Sequence, residues 1–229
     1  MKNNEFEPNV RKVNTRHPQK TPLKFTIDEI YSHFADDISS IKAIDSLLKE
    51  RVLTDTNYQM LLSSQLVFLE SSFDFFIHEI SKYGFLKIYN SEWTSTEKTI
   101  NLKININELI KCIDKEELND IIYELLNSAW STEVFISYDN FKDQLNLIGL
   151  KIEDVMKAAF PPNVKMKDPI NHGKTILTEL YRNRNVIAHQ MSRSHSDASK
   201  SFLNAQYIND SINNICSIAK AIYNIIKNK

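Results

Sequence analysis

Apolar residues recur along most of this chain in alternating steps of three and four, the period of an α-helix that buries one face. The clearest run lies between about Thr56 and Tyr83. There Leu62, Leu66, Leu69, Phe73, Phe76, Ile80 and Tyr83 mark one stripe, and Leu61, Phe68 and Phe75 a second. Two stripes predict contact with neighbours on more than one side, the place of a central bundle helix, with Glu70, Asp74 and His78 left on a third, polar side. An earlier helix is predicted from Thr26 to about Leu53, with Ile27, Ile30, Phe34, Ile38, Ile41, Ile44 and Leu48 at core spacing. Thr26 with Glu29 three residues on has the form of a capping box. A last helix, about 199 to 227, carries Ala205, Ile208, Ile212, Ile215, Ala219, Ile222 and Ile226.

After Gly84 the period changes. Ile100, Leu102, Ile104 and Ile106 alternate with polar residues, as do Val134, Ile136 and Tyr138. This fits either a small two-stranded ribbon or extended lead-ins to helices at about 107 to 127 and 139 to 158. Pro161, Pro162 and Pro169 bound a loop, after which a helix entered near Asn171 carries Ile176, Leu177 and Leu180. With only 3 glycines and 6 prolines, the latter confined to the N-terminal segment and this loop, the chain predicts an all-α fold, an up-and-down helical bundle.

Composition adds bounds. The chain has 229 residues and 42% hydrophobic content, enough for one core. Residues 1–24 carry Lys2, Arg11, Lys12, Arg16, Lys20 and Lys24 against Glu5 and Glu7, with few large apolar residues. They predict a basic disordered arm ahead of a helical domain over 25–229. Because the formal net charge is only −1, any contact with nucleic acid must be local. Cys112 and Cys216 make no disulfide framework, and no Cys/His spacing suits zinc, so a metal-independent, cofactor-free protein of a reducing compartment is expected. The N-terminus has no signal-like core and no apolar run looks long enough for a bilayer, so the expected location is the cytoplasm, with no membrane partner.

Candidate chemistry is concentrated in one stretch, Tyr181-Arg182-Asn183-Arg184-Asn185-Val186-Ile187-Ala188-His189. Arginine grips phosphate oxygens with a fork of donors that keeps its charge, and histidine moves protons near neutral pH. Together they point to work on a phosphodiester. Spacing alone is weak, since Arg11 and His17 give a similar pattern in the arm. Here, however, the residues sit on an apolar-periodic helix with an asparagine after each arginine. On a continuous helix Arg184 and His189 point about 140° apart, whereas Arg182 and His189 fall nearly in line. Either the helix ends before His189 or Arg182 takes part.

Arg184-Asn185-Val186-Ile187-Ala188-His189 resembles the Arg-polar-x3-His core of the HEPN superfamily, with Leu180 ahead of it and a long helix after. The stretch from Met60 to Phe73 resembles the early core helix of the RiboL-PSP type. The resemblance spans about 25 to 227. It implies a helical bundle, commonly a homodimer, in which two such motifs meet in a composite, metal-independent endoribonuclease site, often in a toxin or antiviral effector. Arg184 would then bind the scissile phosphate of single-stranded RNA, and His189 would act as general base or acid in 2′-hydroxyl attack. Asn185 would orient one of them, and Arg182 would be an accessory phosphate contact. An antitoxin or other regulatory protein is a further expected partner. Met191 stands where some family toxins carry a tyrosine that their partner modifies.

Other residues carry weaker signals. Glu70 could touch the site if its helix packs beside the motif helix, and His195, near Arg193, could help hold RNA. The Glu70, Asp74 and His78 set lacks a convergent third ligand for a metal. Trp93 and Trp130 read as core anchors rather than base-stacking platforms. The alternative function is a noncatalytic helical module of the same family type that binds a nucleotide or a protein partner.

Overall fold

In a computed structural model, which describes residues 25–50, 54–103, 118–162, 167–190, 196–197, 199 and 201–229, Thr26 opens the first helix as a capping box. Its hydroxyl accepts from Glu29 N at 3.3 Å, and the Glu29 carboxylate accepts from Thr26 N at 2.7 Å. Helix α1 spans Ile27–Glu50 and buries Ile27, Ile30, Phe34, Ile38 and Ile41. Helix α2, Asp55–Tyr89, is capped by Thr54, whose side chain accepts from Asn57 N. The remaining helices among the described residues are α3 (Glu97–Ile100), α4 (Leu118–Trp130), α5 (Tyr138–Leu147), α6 (Ile152–Ala159), α7 (Pro169–Gln190) and α8 (Ala205–Lys227).

Helix α2 is the central one, packed against α1, α4, α5, α7 and α8. Its first stripe is buried as the periodicity predicts: Leu62, Leu66, Leu69, Phe73, Phe76 and Ile80 are all at most 1% exposed. Antiparallel packing on α1 is fixed by Ser72 donating to Asp37 and by Gln65 donating to Ile41 O and Asp45. The second stripe behaves differently, because Phe68 and Phe75 stay about half exposed. The expected polar side is also wrong in part. Glu70 is 1% exposed, Asp74 accepts from Phe135 N at 2.7 Å, and the His78 ring stacks on Phe135, so this side faces α7 and the segment before α5.

Gly84 does not end the helix. A Cβ there would lie 2.6 Å from Ile148 Cγ2, so glycine lets α2 run past the end of α5 at close approach, and the helix continues to Tyr89. No strand occurs among the described residues. Ile100 closes α3 and Val134 to Ser137 lead into α5, while 104 to 106 lie outside the described residues. The helix expected over 139 to 158 is two, parted at Gly149, whose φ of 71° suits glycine. By length and composition α2 is apolar enough to cross a bilayer, contrary to the expectation above, although here its apolar residues are core.

Polar ties close the bundle. Glu79 and Lys82, both buried on α2, pair at 2.6 Å, and Tyr123 of α4 donates to Glu79 at 2.7 Å. Lys227 of α8 reaches Asp28 of α1 at 2.7 Å. Trp130 packs edge-on to Phe135, and Trp93 lies against Tyr83 with Lys229 over its ring, so both tryptophans serve the packing.

Candidate functional site

Helix α7 carries the candidate chemistry, and its N-terminal half is set firmly in the bundle. Asp168 caps it by accepting from Asn171 N at 3.0 Å, and Leu177 and Leu180 are buried. The helix packs on α2, α5, α6 and α8. Just beyond the motif, Gln59 of α2 clamps Leu203 through both of its backbone groups, at 2.7 and 3.0 Å, and so holds the chain entering α8.

Helix α7 runs unbroken through His189 to Gln190, which settles one of the two sequence alternatives: the helix does not end before the histidine. Arg182 and His189 therefore share one exposed face, while Arg184 turns towards α2 and is half-buried. Its Nε lies 3.2 Å from Glu70 Oε2, and its Nη1 donates to Asn185 Oδ1 at 3.0 Å. The two asparagines differ in what they hold. Asn185 touches the guanidinium, whereas Asn183 donates to Tyr207 Oη at 2.7 Å and ties α7 to α8. Arg193 and His195 lie outside the described residues.

The structure thus brings Glu70, Arg184 and Asn185 together and sets Arg182 and His189 apart from them. Burial pushes the Glu70 carboxyl up to about 7. Arg184 pulls it down and Asp74 adds a smaller upward push, so desolvation wins. The Nε–H of Arg184 is not well aligned with Oε2, and Glu70 Oε1 is buried without a hydrogen-bond partner among the described residues. Such a carboxylate is poised to change charge near neutral pH while in contact with a cation. His78 is held by Glu133 O at 3.2 Å and by Asp74 at 3.6 Å, a packing role on the far side of that turn. Among the described residues no three His, Cys, Asp or Glu side chains converge as metal ligands.

Tyr207 is the contact that sequence reasoning misses, and no spacing signal marks it, because Asn183 and Tyr207 meet only once α7 and α8 pack. Glu70 was legible only on the condition that α2 lies beside α7, which it does.

A family model described as RiboL-PSP-HEPN matches residues 17–228, nearly the whole chain, beginning inside the segment read as a basic arm. No curated protein and no solved structure matches significantly.

Proposed function

The chain belongs to the RiboL-PSP-HEPN family of nuclease- and RNA-related modules, and on that premise we propose that it is a metal-independent endoribonuclease acting on single-stranded RNA. The observation that carries this reading is an arginine held between a buried carboxylate and an asparagine on the same helix that ends in an exposed histidine. In the proposed reaction one His189 takes the proton of a ribose 2′-hydroxyl, and the resulting oxygen attacks the adjacent phosphorus. The 5′-oxygen leaves with a proton from a second histidine, giving a 2′,3′-cyclic phosphate and a 5′-hydroxyl end. Arg184 stabilises the charge gathering on the phosphate oxygens, and DNA, lacking the 2′-hydroxyl, is not cut this way.

The rotation of α7 supports a composite site. Arg184 and His189 diverge by about 140° on one helix, so a single chain does not aim both at one phosphorus, whereas two copies supply four such groups to one cleft. A suitable face lies alongside. Met60, Phe68 and Phe202 border a groove of about 510 Å³ that Ile187 of α7 also lines. No charged residue occurs between Thr56 and Leu69. Charge depletion with exposed aromatics and methionine marks the centre of protein interfaces. A second copy seated there would bring its own motif helix to the first. The biological role proposed for such a nuclease is that of a toxin or antiviral effector held in check by a partner.

The test is cleavage of single-stranded RNA in EDTA by the wild type, His189→Ala and Arg184→Ala. The wild type should cut, and His189→Ala should lose on the order of 10² to 10⁴ in rate. Equal rates for all three would overturn the reading. Tight RNA binding without cleavage would favour the noncatalytic module.

A further inference from the structure

We propose that Glu70 is a positioning residue, whose buried carboxylate holds Arg184 as an ion pair and so helps present the guanidinium to the RNA phosphate. The inference rests on the nuclease reading above. It starts from a position where stability argues against a carboxylate. Glu70 is 1% exposed in the middle of the central helix, between Leu66 and Phe73, which are wholly buried. A buried carboxylate costs desolvation that only good pairing repays, and here one oxygen has no hydrogen-bond partner among the described residues. An apolar residue would pack at this site at lower cost. Local rules broken in an otherwise consistent core mark a functional position.

What the carboxylate does is set by the geometry of its partner. Guanidinium donors form a rigid planar fork. With Nε at 3.2 Å from the Glu70 carboxylate, close enough for an ion pair though not aligned as a hydrogen bond, and Nη1 bonded to Asn185, the Arg184 group is restrained from two sides. Arg184 retains 26% side-chain exposure while its Nε is buried, so part of the side chain beyond the Glu70 contact meets solvent. An arginine free to sample its rotamers would reach the same phosphate only part of the time, and misplacement by about 1 Å can cost roughly 10² in rate.

The charged groups that face Glu70 are Arg184 from α7 and Asp74 one turn along α2. Helix α1 presents Asp37 and Asp45, which are engaged by Ser72 and Gln65. Helix α4 presents Tyr123, which is engaged by Glu79, and the charged side chains of α5 and α8 are exposed. From α8, Tyr207 accepts from Asn183. With the carboxyl pushed up to about 7, the grip on Arg184 strengthens as pH rises through neutrality.

The experiment pairs a spectroscopic readout with kinetics on the full chain. In ¹⁵N-arginine-labelled wild type, the Nε–H resonance missing from Arg184→Lys should be protected from exchange above about pH 7.5 and lose protection towards pH 6. Glu70→Gln should lose that pH dependence. It should also lower kcat for single-stranded RNA about 10²-fold with little change in KM, and remove the acid limb near pH 7 from the rate profile. Glu70→Asp, one methylene short, should fall between. If Glu70→Gln melts at lower temperature yet keeps kcat and its pH profile, the residue is structural and the proposal is overturned. A wild-type Nε–H resonance indifferent to pH overturns it too, and needs no variant to fold. If the resonance behaves as described but no RNA is cut, the contact stands and the nuclease reading fails.

Discussion

Glu70 and Arg184 couple stability to charge at one contact. The Glu70 carboxyl titrates near 7 instead of 4.5, so the folded chain binds that proton more tightly than the unfolded chain does. The stability this group contributes is therefore complete below about pH 4.5 and is lost as pH rises through 7. Between pH 6 and 8 the wild type should lose on the order of 1 kcal/mol from Glu70 alone, measured as the unfolding free energy in urea. Glu70→Gln should lack that slope. The Arg/His residues were legible in the sequence because their types and their helical seat are local facts. Burial of Glu70 was not, since a helix with three candidate sides does not state which one meets α7. The structure gives the two arginines different settings: Arg184 is held beside Glu70, and Arg182 shares the exposed face of His189.

Helices α2 and α7 place these residues, and both follow their apolar periodicity closely. Caps at Thr26, Thr54 and Asp168 sit where polar residues precede apolar runs, so the starts of α1, α2 and α7 were readable within a residue or two, whereas α8, expected from about 199, begins at Ala205 behind its Asn204 cap. Ends were harder. Gly84 reads as a stop in isolation, but its purpose is to admit Ile148, a contact 64 residues away in sequence. Gly84→Ala should accordingly destabilise the fold by about 1 to 3 kcal/mol through overpacking, despite alanine's better helix propensity. A lower melting temperature with unchanged helical circular dichroism is the expected record. Of the two readings of the alternating runs, the structure shows the lead-in at Val134 to Ser137, where Phe135 and Ile136 are both buried in the core, while the run near 100 passes into residues outside the described ones. At the junction of α7 and α8, Tyr207→Phe removes the hydrogen bond to Asn183. It should cost about 1 kcal/mol of stability in chemical denaturation.

Across the whole molecule, the second apolar stripe of α2 is only partly covered among the described residues. Phe68 and Phe75 remain about half exposed and Phe202 is 72% exposed. At about 150 to 250 Å² for each aromatic side chain, they leave on the order of 300 Å² of apolar surface. That is a large part of the roughly 800 Å² one partner gives to a standard interface. Sequence periodicity marked Phe68 and Phe75 as needing a neighbour, and a second copy of the chain is the neighbour proposed. If that proposal holds, the wild type sediments as a dimer, and Phe68→Glu should leave a helical monomer that no longer cleaves RNA. The central claim, an Arg/His ribonuclease that needs no metal, is tested most directly by the ends it leaves. Single-stranded RNA incubated with the protein in EDTA and analysed by ³¹P NMR should show 2′,3′-cyclic phosphate, with free 5′-hydroxyl ends, in wild type and not in His189→Ala. Cleavage that appears only with added magnesium and leaves 5′-phosphates, or no cleavage at all, would contradict it.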